Sequence, residues 1–274
     1  MTQKVRNLVA RIAVAAVAIP ALVFLFVRGG WWWAGFVEVL VILAVWEAGR
    51  LFRLSGGDFP LWPLLVLCPI PPLLFLYYRW EWVAPWVFLV IVVVAFFVVR
   101  RPHALATSFD LAGPIAAAIY IGLGFAFFVG VRQTGSETEG ARWLMFLFAD
   151  LWVADTFAML FGTLWGKKRL APSISPHKTV VGFYAGLVGG GIVGAVFIIG
   201  GWLPASWLAI LIGAVAVSAV GQLGDLYESL LKRRAKVKDI SRIIPGHGGV
   251  LDRFDSALFA APFLYIYLKV VVYS

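Results

Sequence analysis

The chain has 274 residues, 62% of them hydrophobic and only 14% charged, with a mean hydropathy of +0.93 and a formal net charge of +9. That balance excludes a water-soluble globular domain and points to a membrane protein. The single cysteine, Cys68, excludes an intrachain disulfide and a cysteine-based zinc cluster.

Nine apolar runs are long enough to be read as crossing a hydrocarbon layer about 30 Å thick. They cover residues 8–27, 31–49, 60–78, 83–99, 111–131, 143–165, 180–200, 205–231 and 254–272. The first follows Lys4 and Arg6 but is too long for a secretory core and lacks a small-x-small cleavage site, so it reads as a spanning helix. The third is interrupted by CPIPP at Cys68–Pro72, which predicts a kink or a break. The seventh carries Gly182, Gly186, Gly190 and Gly194 on one helical face, a pattern for close helix packing. No glycine-rich nucleotide fingerprint occurs in a strand–turn–helix setting. The expected architecture is an all-α, polytopic integral membrane protein of about nine transmembrane helices. Residues 1–140 read as N-terminal spans, and 141–274 as a membrane catalytic region with cytoplasmic loops 166–179 and 232–253.

The basic residues are unevenly placed. Of the 23 Lys and Arg, 18 fall on the side of the N-terminus and of the two basic loops, against five on the other side. The positive-inside rule therefore puts the N-terminus and those loops in the cytoplasm and the C-terminus outside. Topology and anionic headgroups explain the net charge, so nucleic acid is not needed as a partner.

Acidic residues in so apolar a chain belong at edges unless they are paired, metal-bound or facing water. Asp150, Asp155, Asp225 and Glu228 instead lie within or near the ends of spans. Asp225, Glu228 and Ser229 share a helical face, and Asp252 and Asp255 are three apart where the last span begins. Helix capping, an ion pair and a functional role are all open for Asp255. Carboxylate oxygens beside a Lys/Arg-rich loop are what a Mg²⁺–phosphate site needs. Between them runs KDISRIIPGHGGVLDRFDS, from Lys238 to Ser256. Gly246, Gly248 and Gly249 let backbone amides approach a phosphate, Pro245 stiffens the turn, and His247 offers a donor. The residues alone indicate a cytoplasm-facing membrane site for metal and phosphate, without naming a substrate.

Ser229-Leu-Leu-Lys232-Arg233, then Lys238-Asp239, then Pro245-Gly246-His247-Gly248-Gly249-Val-Leu-Asp252-Arg253-Phe-Asp255 resembles the signature of CDP-diacylglycerol synthases, also called phosphatidate cytidylyltransferases, across 27 positions. Asp225 stands at the expected place just upstream. A looser block, Asp155, Gly162, Gly166 and Ser175-Pro176-His177-Lys178-Thr179-Val-Val181-Gly182, is also similar to the family. There, His177 stands where members commonly have lysine and Val181 where they have glutamate. Valine cannot replace a carboxylate, so Val181 receives no site role. The two blocks lie in the C-terminal half, and the first 140 residues resemble the family only as a run of spans.

The resemblance implies that CTP and phosphatidate give CDP-diacylglycerol and pyrophosphate. It implies Asp225 and Asp252 as Mg²⁺ ligands, with Asp255 beside them, and a second, monovalent cation in the same chemistry. Lys232, Arg233, Lys238 and Arg253 would contact phosphates; Lys238 and Arg253 are counted with the catalytic residues. Ser175, Lys178, Thr179, Ser229, Gly246, His247, Gly248 and Gly249 would bind substrate. A homodimer in a bacterial inner membrane is also implied. Two other readings compete: a CTP-dependent lipid kinase of the polyprenol type, and a secondary transporter. The latter would be expected to show repeated halves with broken helices, and CPIPP has no counterpart in the second half.

Overall fold

The computed structural model describes residues 3–100, 108–237, 240–241, 243 and 248–274. The chain divides into two units, Met1–Val129 with Arg234–Arg253, and Gly130–Arg233 with Phe254–Ser274. Six helices among the described residues are long and apolar enough to cross a membrane, while the stretches Ala16–Arg28 and Leu61–Leu76 are shorter. The molecule is thus a helical membrane protein.

The first unit begins with α1 (Gln3–Arg28) and α2 (Gly30–Leu54). In α2, Trp33, Val37, Val41, Ala44 and Ala48 recur at helical spacing and form the buried stripe. The CPIPP segment divides its run into α3 (Leu61–Leu67) and α4 (Ile70–Leu76). The break has a clear cause. Pro71 has no N–H to return to the Leu67 carbonyl, and Trp86 Nε1 donates to that oxygen instead, at 2.7 Å. Trp86 belongs to α5 (Val83–Val99), which a 3₁₀ turn at Trp80–Trp82 introduces. Trp33 Nε1 similarly donates to the Phe128 carbonyl of α6 (Ser108–Arg132), at 3.0 Å.

In the second unit, α7 (Glu137–Trp165) starts six residues before the expected span. Ser136 and Glu139 form a capping box there: the Glu139 amide donates to Ser136 Oγ at 3.3 Å and the Ser136 amide to Glu139 Oε2 at 2.7 Å. A two-stranded antiparallel hairpin, β1 (Arg169–Ala171) and β2 (Ser175–Thr179), follows in what the sequence presents as a loop. It is the strand pair that departs from an all-α chain among the described residues. Next come α8 (Val180–Ile199), α9 (Trp207–Arg234) and α10 (Leu251–Tyr267), the last closing in a π turn at Leu268–Val272.

The glycine face of α8 packs as its spacing predicts. A Cβ at Gly182 would lie 2.6 Å from the Ala158 carbonyl of α7, and one at Gly194 would lie 2.9 Å from Ala214 Cβ of α9. Side chains there would force three backbones apart, so these glycines set the helix spacing.

Candidate active site

Around β2 and α9, the hairpin sets the geometry. Its register pairs Arg169 with Thr179 and Ala171 with Ser175, and the Val180 amide donates to the Lys168 carbonyl at 3.0 Å. Thr179 is buried, and its hydroxyl caps α8 by accepting from the Gly182 amide at 3.0 Å. Gly162 makes room for it, since a Cβ there would lie 2.9 Å from Thr179 Oγ1. The preceding residue of β2, Lys178, ion-pairs with Asp225 of α9.

Lys178, Thr179 and Asp225 line a cavity of about 350 Å³ together with Asp155, His177 and Gln222. That volume is in the range of small-molecule sites. One turn along α9 lies Glu228, which is buried and accepts from Lys232 Nζ at 2.9 Å. The carboxyl of Asp255 on α10 lies beside Glu228, close enough to Asp225 and Lys232 for their charges to act on it. Close approach of the two helices depends on Gly224, where a Cβ would lie 2.6 Å from the Asp255 carbonyl. Arg233 Nε donates to the Ile174 carbonyl at the hairpin turn, at 3.1 Å.

In the first unit, Asp252 Oδ2 accepts from the Gly249 amide at 2.9 Å and from the Ile240 amide at 3.3 Å. Gly248 has φ +88°, a conformation that favours glycine, and a Cβ there would approach Asp252 Oδ2 to 3.0 Å. A second carboxylate, Glu47 of α2, takes the neighbouring donors. Glu47 Oε1 accepts from Ser241 Oγ at 2.5 Å and from the Val250 amide at 2.9 Å, and Oε2 accepts from the Leu251 amide at 2.8 Å.

The residues singled out in the sequence therefore fall into distinct groups. Lys178, Thr179 and Asp225 share the cavity, and Lys232 and Asp255 meet at Glu228. Ser175 and Ser229 are half-buried, and Arg233 and Arg253 are exposed. Gly248, Gly249 and Asp252 belong to the unit that holds Glu47, whereas Asp225 belongs to the other. Lys238, Gly246 and His247 lie outside the described residues. Sequence reasoning missed Glu47, Gln222 and the capping role of Thr179. Glu47 carried a usable signal, an acidic residue inside an apolar run.

Among the described residues, no three His, Cys, Asp or Glu side chains converge as a metal cage. Mg²⁺ needs less: one or two carboxylates, with substrate phosphate and water completing its shell. Asp155 of α7 and Asp225 of α9 line the same cavity, so its donor set of carboxylate oxygens fits such an ion.

Comparison with known proteins agrees with these features. The chain is 43% identical over 162 residues to a phosphatidate cytidylyltransferase of Bacillus subtilis, covering 59% of this chain and 60% of the relative. It is 45% identical over 160 residues to one of Staphylococcus saprophyticus, covering 58% and 59%. For one of Staphylococcus aureus the identity is 44% over 161 residues, with 58% and 59% covered. Each match thus spans about three-fifths of the curated relative's own length. The cytidylyltransferase family profile matches residues 9–271, nearly the whole chain, and the chain belongs to that family.

Proposed function

We propose that this protein transfers the cytidylyl group of CTP to phosphatidate, giving CDP-diacylglycerol and pyrophosphate. The observation that carries this reading is the ion pair of Lys178 with Asp225 in the wall of a cavity, in a chain whose family profile runs from residue 9 to 271. The relatives' names supply the substrate, and the apolar helices fit one that stays in the bilayer.

An oxygen of the lipid phosphate attacks the α-phosphorus of CTP. The new O–P bond forms as the bond to the β-phosphate oxygen breaks, and pyrophosphate leaves with that electron pair. No side-chain nucleophile is required, so the work is positioning and charge neutralisation. Lys178 neutralises Asp225 before substrate arrives, and a triphosphate would compete with the carboxylate for the same ammonium. Lys232, Arg233, Lys238 and Arg253 are proposed phosphate contacts, and Ser175, Ser229, Gly246, His247, Gly248 and Gly249 line the substrates' path in the same reading. Asp225 and Asp252 are each proposed as a Mg²⁺ ligand on the strength of the signature, and Asp255 is the further candidate. Mg²⁺ when bound supplies charge neutralisation of the triphosphate and the departing pyrophosphate.

The same reading has nine spans, with the N-terminus and both basic loops cytoplasmic and the C-terminus outside. Its support is the 18-to-5 division of basic residues. A homodimer and a second, monovalent cation rest on the resemblance alone.

Purified protein in mixed micelles with phosphatidate and CTP labelled at the α-phosphate tests the reaction. Mg²⁺-dependent label in the lipid fraction, lost in Asp225→Asn, is the expected result. Lipid label from γ-labelled CTP but none from α-labelled CTP would replace it with a lipid kinase.

A further inference from the structure

Glu47 is a glutamate about two turns before the end of the polypeptide's second helix, 0% exposed, and far in sequence from every motif that drew attention. A buried carboxylate is costly unless several donors meet it. Glu47 has three: the Ser241 hydroxyl and the amides of Val250 and Leu251. Leu251 is the first residue of α10, so these amides are among the donors that a helix start leaves without partners, and a carboxylate is favoured there.

The pattern of bonds matters more than their number. Glu47 grips Ser241 on one side of the glycine-rich segment and Val250 and Leu251 on the other. Asp252 does the same one residue away on each flank, through the Ile240 and Gly249 amides. Two carboxylates thus tie Ile240–Ser241 to Gly249–Leu251, and only one of them has a proposed role in the chemistry. The fit at Glu47 is tight: a Cβ at Gly249 would lie 2.5 Å from Glu47 Oε1, so this glycine is needed for the grip.

We propose that Glu47 is a positioning residue for the signature loop, holding Ser241 and Val250–Leu251 together so that Gly248, Gly249 and Asp252 keep the geometry that binds CTP. Its kinetic consequence rests on the cytidylyl-transfer reading; its structural consequence does not. Closing the loop ends before substrate binds removes an ordering cost from binding.

The test uses the full-length protein in micelles with Glu47→Gln, Ser241→Ala and, as a control on the same helix, Glu38→Gln. In Glu47→Gln the amide NH₂ faces the Leu251 or Val250 N–H, so one charge-assisted bond becomes a donor–donor conflict. The expected result is a KM for CTP raised about tenfold, as loss of one such bond predicts, with KM for phosphatidate unchanged. Amide exchange across residues 240–251 should accelerate while α7 and α8 stay protected. Ser241→Ala should move both readouts the same way by less, and Glu38→Gln should move neither. A purely structural defect would lower kcat through the active fraction and leave the ratio of the two KM values alone. Unchanged exchange at 240–251 in folded Glu47→Gln overturns the proposal, as does an unchanged KM for CTP. If Glu47→Gln does not fold, Ser241→Ala decides by the same two criteria. A wild-type protein without cytidylyl transfer sinks the activity reading, while the exchange data still decide whether Glu47 holds the loop.

Discussion

Lys178 and Asp225 reach each other from different elements, the lysine from β2 and the aspartate from α9, and they meet in the wall of the cavity. Both side chains are about one-quarter exposed, at 26% and 30%, so the pair adds about 1 kcal/mol or less to stability. Its cost when broken should therefore appear in activity. Lys178→Met is expected to lower cytidylyl transfer by about 100-fold while the thermal midpoint in detergent moves little. A large fall in midpoint with activity preserved per folded molecule would show that the pair is structural.

Thr179 lines the same cavity, yet its hydroxyl already accepts the Gly182 amide. Thr179→Val keeps the branched shape and removes the cap. The expected cost is about 1 kcal/mol of stability, restored in Thr179→Ser, with KM values for both substrates near those of the unaltered protein. A raised KM at unchanged stability would make Thr179 a substrate contact instead.

Much of this is readable in the sequence, and the exceptions have separate physical causes. The break at CPIPP and the packing face of α8 follow from local rules of proline chemistry and four-residue spacing, and both are present; of the nine expected spans, six correspond to described helices long and apolar enough to cross a membrane. The capping box at Ser136 is local too; the reading of apolar runs began too late along the chain to include it. Glu47 is different. Its partners lie 194 to 204 residues away, and no periodicity reports a pairing at that distance. The hairpin at 169–179 was hidden for another reason: its strands are three and five residues long, too short for alternation to stand out.

The glycine face of α8 offers a paired test of packing. A Cβ at Gly190 would run into Ser218 Oγ and come within 2.9 Å of Asp150 Oδ2, both buried. At the next residue, Gly191, the nearest atoms would be 3.9 Å away, an ordinary contact. Gly190→Ala should destabilise the protein by about 1–3 kcal/mol, and Gly191→Ala should be tolerated. Thermal denaturation in detergent distinguishes them. Equal midpoints would mean that α8 shifts freely against its neighbours.

Trp86 and Pro71 offer the sharpest check on the broken third run. Trp86 Nε1 donates to Leu67 O at 2.7 Å, the oxygen for which Pro71 lacks the helical N–H. Removing the indole donor with Trp86→Phe leaves a buried carbonyl short of its partner, at a cost of about 1–3 kcal/mol that includes some lost packing. Pro71→Ala returns an N–H to the position from which a continuous helix would bond Leu67 O. The cost of Trp86→Phe should therefore be smaller in the Pro71→Ala background, and a double-mutant cycle in denaturation midpoints isolates that coupling. Additive effects would mean that the indole contributes through packing alone and that the proline break is held open by something other than this hydrogen bond.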